Sequence, residues 1–72
     1  MERITVDSSI LAGKPIIKGT RMSVEFILEM LSSGISVEEI LREYPHLSKA
    51  DILAALAYAT KRLKHEEIYT SK

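Results

Sequence analysis

The sequence predicts a mainly α-helical fold with a short β-hairpin at its N-terminus. Three segments repeat apolar residues at helical spacing, and each follows a serine that can cap a helix. Before them lie two short segments rich in β-branched residues, separated by turn-forming residues. A two-stranded hairpin is marginal in water by itself, so we expect a helix or a second chain to cover it.

The hairpin is predicted from strands at residues 4–6 and 15–18. Asp7 and the two serines after it can end the first strand by hydrogen bonding to the backbone of a turn. Pro15 has no N–H, which places the second strand at a sheet edge or marks its first residue.

The first two helices have recognisable ends. Ser23 is expected to cap the first helix, and Gly34 is well placed as its left-handed C-terminal stop. Ser36 and Glu39 have the spacing of a capping box at the start of the second helix. Pro45 is expected to end that helix, because the residue before a proline disfavours helical geometry.

Ser48 and Asp51 have capping-box spacing at the start of the third helix, which we expect to reach residue 65 or beyond. Only three residues separate the second and third helices, which is helix-turn-helix spacing. The predicted core stripe of the third helix is Ile52, Leu56, Ala59 and Leu63.

The predicted organisation has three parts. Residues 1–22 form the β-hairpin with a basic arm, and residues 23–69 form the three-helix helix-turn-helix domain. Residues 70–72 form a tail that is expected to fray.

The composition limits the kinds of site, association and location that we expect for this chain. The 72 residues include no cysteine and two histidines nineteen positions apart, so we expect neither a disulfide nor a bound metal. A core this small is commonly supported by association, which favours a homodimer or a tight complex with another protein. No apolar run could span a membrane and no signal peptide is evident, so we expect a cytoplasmic protein.

Three cations, Lys14, Lys18 and Arg21, lie within eight residues of the N-terminal segment. They could contact phosphates, an acidic partner surface, or Glu25 and Glu29 of the first helix. The alternative is a solvated edge strand whose lysines prevent aggregation.

DNA binding would place the start of the third helix in the major groove, with Ser48 and Lys49 as candidate contacts. The start of this helix contains no arginine, asparagine or glutamine, the residues that most often read base edges. The net charge of zero predicts that a monomer binds DNA weakly without regard to sequence. The alternative is that the two helices simply pack as a helical hairpin.

A helical projection of the third helix places five residues opposite its predicted core stripe: Ala50, Ala54, Tyr58, Lys61 and Arg62. On this face the small alanines lie next to one tyrosine. The composition favours an interface with a partner, although alanine is also a neutral, helix-favouring surface residue. No phosphate loop, metal-ligand cluster or nucleophile near His46 indicates catalysis, so we expect neither an enzyme nor a cofactor.

The motifs occur in an order that resembles the prokaryotic domain of unknown function family 433. The resemblance covers about residues 4–60 and depends on segments 13–21, 33–36, 39–41, 44–48, 51–52 and 54–59. The chain departs from the family at Met22 and Ser23, where an aliphatic residue and a proline are frequent.

The resemblance implies a homeodomain-like helix-turn-helix and a role as a VapB-type antitoxin, with a PIN-like ribonuclease as the toxin. In that role the chain would act as a dimer that also binds operator DNA. Lys18 and Arg21 are the candidate residues for blocking the acidic active site of the nuclease. The alternative is a protein-interaction module without DNA binding.

Overall fold

The computed structural model describes residues 3–66 and confirms the predicted fold class: a hairpin followed by three helices. The predicted tail at 70–72, and the predicted domain residues 67–69, lie outside the described residues. The regular elements in chain order are β1 (Ile4–Val6), β2 (Pro15–Ile17), α1 (Val24–Ser32), α2 (Val37–Glu43) and α3 (Lys49–Glu66).

β1 and β2 pair antiparallel, with Ile4 opposite Ile17 and Val6 opposite Pro15. The second strand therefore begins at the proline, as predicted, and ends one residue earlier than expected. The connection between the strands includes a short turn, Leu11–Gly13, in which all three residues have positive φ.

The predicted helix ends are confirmed by their hydrogen bonds. The Phe26 N–H donates to Ser23 Oγ at 2.9 Å. The Glu39 N–H donates to Ser36 Oγ at 3.1 Å, and the Ser36 N–H donates to Glu39 Oε1 at 2.9 Å. Gly34 has φ +94°, the left-handed geometry that a glycine adopts without strain.

One core joins the hairpin to the helices. β2 packs against α1 and β1 against α3, so the helices cover the hairpin within a single chain. The core consists of Ile17, Val24, Ile27, Met30, Ile40, Leu47, Ile52 and Ala55. The N-terminal segment is therefore part of the folded domain rather than a separate arm.

The predicted orientation of α3 is wrong at several positions. Ile52 is buried as predicted, but Leu56 is 40% exposed and Leu63 is 67% exposed. Ala54, predicted to face outward, is buried, and Tyr58 packs against the core. Alanine side chains on the inner face allow α3 to approach its neighbours closely, whereas the leucines face outward.

The observed orientation of α3 about its own axis also places Asp51 on the inner face. Asp51 is the one buried charged residue among those described. Arg3 Nη1 donates to Asp51 Oδ1 at 3.0 Å, and the Ser48 N–H donates to Asp51 Oδ2 at 3.0 Å. The Asp51 N–H completes the box by donating to Ser48 Oγ at 3.3 Å. Asp51 therefore caps α3 and attaches it to the residue that precedes β1.

Desolvation alone would raise the pKa of Asp51, but the Ser48 hydrogen bonds and the Arg3 guanidinium outweigh it. The pKa of Asp51 is consequently held below its ordinary value of 3.8.

Replacing Asp51 removes both a cap and the partner of Arg3. We expect Asp51→Ala to lower the free energy of unfolding by about 1–2 kcal/mol, since a helix cap has roughly this effect. Arg3→Ala should lower it by about 0.2–1 kcal/mol, because the arginine is largely solvated. Urea denaturation measures both values. Glu38→Ala, at an exposed carboxylate, is the control, and an equal loss in that control would contradict the assignment.

The depressed pKa of Asp51 also predicts an acid dependence. Its stabilising contribution is fully present above the unfolded-state pKa of about 3.9 and is lost as the pH falls through the lower native pKa. The difference in unfolding free energy between the wild type and Asp51→Asn should be constant from about pH 7 to about pH 5 and shrink below about pH 4. A difference that stays constant to the lowest pH would show that the charge of Asp51 contributes nothing.

Candidate functional site

A groove lies where the hairpin meets the connection between α2 and α3. One side is formed by the end of β1 and the residues after it, including Asp7, whose carboxylate accepts hydrogen bonds from the Ser9 N–H and hydroxyl. The other side contains Lys18, Gly19, Thr20, Arg21 and His46. We call this feature the cationic groove, because Lys18 and Arg21 line it and neither forms an ion pair with another side chain among residues 3–64.

The turn that carries these cations is held by hydrogen bonds. The Thr20 N–H and hydroxyl both donate to the Ile17 carbonyl, at 3.0 and 2.8 Å. The Met22 N–H donates to Thr20 Oγ1 at 2.9 Å, and Gly19 supplies the positive φ, +85°, that the turn requires. The cations are therefore presented from a fixed turn, in contrast to the flexible arm implied by the sequence.

Lys14 differs from the other two predicted cations. Its Nζ lies 2.9 Å from Glu25 Oε1 on α1, and both side chains are exposed. The hydrogen bond and charge of Glu25 raise the pKa of Lys14. Lys14 does not line the cationic groove, so the structure brings together Lys18 and Arg21 but separates Lys14 from them.

Three rings form a wall beside the cationic groove. Phe26 and Tyr44 meet edge to face with centroids 6.2 Å apart, and Tyr44 and His46 do so at 6.3 Å. We call these residues the aromatic wall. A second depression lies against it, and it shares Arg21 and His46 with the cationic groove. The two depressions are thus one continuous surface.

An unusual backbone conformation supports the second depression. Leu11 lines it, is 43% exposed and has φ +52°, a left-handed conformation that is uncommon for a branched residue. Such a conformation costs roughly 1–2 kcal/mol, so the rest of the fold has to hold it in place. The result is an apolar side chain exposed opposite Phe26, which is itself 40% exposed.

The surface continues to an acidic end. A third depression includes Phe26 and Tyr44 and is also lined by Glu39 and Glu43. The candidate site therefore has cations at one end, aromatic and aliphatic side chains in the middle, and carboxylates at the other end. Alternating charged and apolar regions of this kind can bind a protein surface that is both polar and apolar.

Sequence reasoning identified Lys18 and Arg21 but missed Leu11, Phe26 and Tyr44 as surface residues. Phe26 was detectable, because it lies off the apolar stripe of α1 and has no place in the predicted core. Tyr44 lies at helical spacing from Val37, Ile40 and Leu41, which predicts a core position, and it is half-buried against the core. Leu11 gave no signal, since its exposure depends on a turn conformation rather than on sequence spacing.

The predicted DNA contacts occupy different environments. Ser48 is exposed, but its hydroxyl accepts the Asp51 N–H within the capping box. Lys49 and Ala50 are exposed in the first turn of α3. Asp51 points into the fold toward Arg3, so its carboxylate is not presented to DNA at the start of α3.

The predicted partner contacts on α3 are divided. Ala50 and Arg62 are exposed, whereas Ala54 and Tyr58 face the core of their own chain. Residues 3–64 contain no group of three acidic or histidine side chains able to hold a metal ion. Within the same part of the chain, no helix is both long and apolar enough to cross a bilayer.

Comparisons with known proteins agree with this fold. An uncharacterized protein from Sinorhizobium fredii is 36% identical over 58 residues, which is 81% of this chain and 26% of the relative. An uncharacterized protein from Archaeoglobus fulgidus is 60% identical over 25 residues, 35% of this chain and 69% of the relative. The chain therefore spans about a quarter of the length of the Sinorhizobium relative.

A crystal structure of a DUF433 member protein from Anabaena variabilis superposes with a TM-score of 0.83 at 25% identity. The match covers 90% of this chain and 64% of the Anabaena chain. The profile of the family described as "Protein of unknown function (DUF433)" matches residues 4–59, most of the sequence. The chain belongs to the DUF433 family.

Proposed function

We propose that this protein is the antitoxin of a type II toxin–antitoxin pair and neutralises a PIN-like ribonuclease in the cytoplasm by binding it. The observation that carries the proposal is the cationic groove, in which Lys18 and Arg21 have no ion partner within the described chain and adjoin the aromatic wall. In this role the chain acts by binding, without a catalytic residue or cofactor of its own.

The chemistry of the partner explains why cations suit this role. A metal-dependent nuclease concentrates carboxylates around its divalent ions, and this cluster repels other anions. An arginine guanidinium can pair with a carboxylate through two hydrogen bonds and replace part of the metal charge. The turn that carries Arg21 and Lys18 is already held by hydrogen bonds, so binding does not have to order its backbone, and the entropy lost is that of the two side chains.

The apolar part of the surface supports the same proposal. Exposed Leu11 and Phe26 can be buried by a partner, and apolar burial contributes about 25 cal/mol per Å². Charges at the exposed rim of such a contact would determine its orientation and association rate, whereas cations buried against carboxylates would also contribute to its affinity. The combination favours a specific protein complex over a purely electrostatic one.

The decisive variant is Lys18→Ala combined with Arg21→Ala. Co-expressed with a PIN-like nuclease as its toxin, the wild-type chain should restore growth and suppress RNA cleavage. The double variant should bind the nuclease at least about tenfold more weakly, because a buried charge pair contributes about 2 kcal/mol or more. Titration calorimetry measures the affinity.

Lys14→Ala is the matched control, since Lys14 lies on the same hairpin but pairs with Glu25. It should neutralise the nuclease like the wild type. Equal affinity of the double variant and the control would remove the cationic groove from the mechanism. Absence of any complex between the wild type and the nuclease would contradict the antitoxin proposal itself.

A second candidate role, operator binding by a dimer, is favoured by the first turn of α3. Lys49 and Ala50 are exposed there, and the connection from α2 is short enough for a homeodomain-like helix-turn-helix. Dimerisation would join two weak half-sites and compensate for the zero net charge of each chain. Without DNA binding, the same chain would be a protein-interaction module.

Salt dependence separates these alternatives. For binding to its own promoter DNA, the logarithm of the association constant should fall linearly with the logarithm of salt concentration. Lys49→Ala should reduce the slope by about 2, because the dimer loses one phosphate contact in each half-site. Fluorescence polarisation of labelled promoter and scrambled DNA provides the measurement. Equal affinity for both DNAs would contradict operator recognition, and an unchanged slope would exclude Lys49 as a phosphate contact.

A further inference from the structure

The outer edge of β1 is a strand edge that residues 3–64 leave unpaired. β1 and β2 form a two-stranded sheet, and neither a strand nor a bridge from this part of the chain lies on the other side of β1. The outer edge of β2 is closed within the chain. There the Ile17 N–H donates to the Met22 carbonyl at 2.9 Å, and Ile16 forms a bridge with Ser23.

The hydrogen bonds of the hairpin identify the backbone groups on the open edge. The Lys18 N–H donates to the Arg3 carbonyl at 2.7 Å, so the backbone of Arg3 faces β2. Hydrogen-bonding direction alternates along a strand, so Thr5 also faces β2, whereas the N–H and C=O groups of Ile4 and Val6 face outward. Such groups require a hydrogen-bonding partner, which is either water or another strand.

The strand has none of the features that prevent edge strands from pairing. Ile4, Thr5 and Val6 are all β-branched, which favours strand geometry. No lysine, proline or bulge interrupts them, although natural edge strands use these features against association. The Val6 side chain is 59% exposed, so apolar surface accompanies the open backbone groups. This composition favours the addition of a further strand.

The possible registers favour β1 of a second copy as that strand. A two-fold dimer pairs the two β1 strands antiparallel, and outward-facing residues have to meet each other. Pairing Ile4 with Val6 of the partner subunit uses every outward-facing group of both strands. In this register Thr5 lies opposite its own equivalent, and Arg3 lies opposite Asp7 of the partner subunit.

The charges select this register over the other self-pairings. Opposite charges that face each other across two strands are favourable, and Arg3 and Asp7 meet in this way twice in the dimer. Registers centred on Ile4 or on Val6 place Thr5 opposite one of these charged residues and leave the charges unmatched. A strand of another protein would have to reproduce both charges at the same spacing.

Both charged side chains can take part while they keep their contacts within the chain. Arg3 donates to Asp51 through Nη1 and its side chain is 53% exposed, so its other guanidinium N–H groups remain available. Asp7 accepts both of its hydrogen bonds from Ser9 through Oδ1, so Oδ2 remains available to a guanidinium.

We propose that the protein dimerises by antiparallel pairing of β1 with β1 of a second copy, which joins the two hairpins into one continuous sheet. Asp7 is the acid among the residues that line the cationic groove, and the partner subunit's Arg3 would neutralise it. Dimerisation would thereby make both grooves more positive. The inference rests on the dimer proposed above for operator binding, but it requires neither DNA nor a nuclease.

A single introduced cysteine tests the register, because the chain contains none. Thr5→Cys places two thiols at a non-hydrogen-bonded pair, where Cα atoms are about 4.5 Å apart and a disulfide can form. Mild oxidation should convert most of this variant to a linked dimer on non-reducing electrophoresis. Val6→Cys is the matched control and should remain largely unlinked, because equivalent Val6 positions are more than about 7 Å apart in this register.

A proline substitution tests the backbone pairing without a cross-link. Val6→Pro removes an outward-facing N–H and no bond between β1 and β2, since Val6 lies opposite Pro15 at a non-hydrogen-bonded position. Sedimentation equilibrium should give a dimer dissociation constant at least about tenfold above that of the wild type, because the dimer loses this bond twice. Circular dichroism verifies the fold. Leu56→Ser, which removes an exposed apolar side chain elsewhere, should dimerise like the wild type.

Three results would overturn this proposal. The first is a wild-type chain that stays monomeric up to about 1 mM. The second is equal cross-linking of the two cysteine variants. The third is a dimer that Leu56→Ser dissociates and Val6→Pro does not, because the interface would then lie on α3. None of these experiments includes the nuclease or DNA, so failure here is distinguishable from failure of the antitoxin proposal.

Discussion

The constraint on which the rest of this structure depends is the burial of one face of α3, where Asp51 lies beside Ile52 and Ala55. A buried carboxylate needs compensating hydrogen bonds, and Asp51 receives them from Ser48, just before its own helix, and from Arg3, 48 residues away. The same side chain therefore caps α3 and connects it to the start of β1. The buried face of α3 lies against the hairpin and α1, and its position determines which residues of the helix remain exposed.

The exposed surfaces follow from that arrangement. With Asp51, Ala54 and Ala55 facing inward, Leu53, Leu56 and Leu63 face outward. The hairpin, held against α1 and α3, presents the Lys18–Arg21 turn beside His46. A chain of 72 residues has few side chains available for a core, so using alanines on the inner face of α3 leaves larger apolar residues for partners. The placement of alanines on the inner face of α3 thus accounts both for the small core and for the exposed leucines of that helix.

Features that depend on neighbouring residues were predictable from the sequence, and features that depend on distant ones were not. The capping boxes at Ser36 and Ser48 and the stop at Gly34 were predicted because each is fixed within a few residues. The predicted orientation of α3 was wrong because helical periodicity favoured its leucines for the core, and no neighbouring residue indicates that Asp51 contacts Arg3, 48 residues away. The exposure of Leu11 depends on positive φ in a turn, which spacing does not encode.

The central claim is that the hairpin and the helices form one cooperative unit through Asp51 and Arg3. Native-state amide hydrogen exchange tests it most directly, because it reports an opening free energy for each amide. The Lys18 N–H, which donates to the Arg3 carbonyl at 2.7 Å, represents the hairpin, and the Ala55 N–H represents the core turn of α3. The account predicts that both exchange with the free energy of global unfolding and that Asp51→Ala lowers both equally. Exchange of Lys18 at a much lower free energy, unaffected by Asp51→Ala, would contradict it.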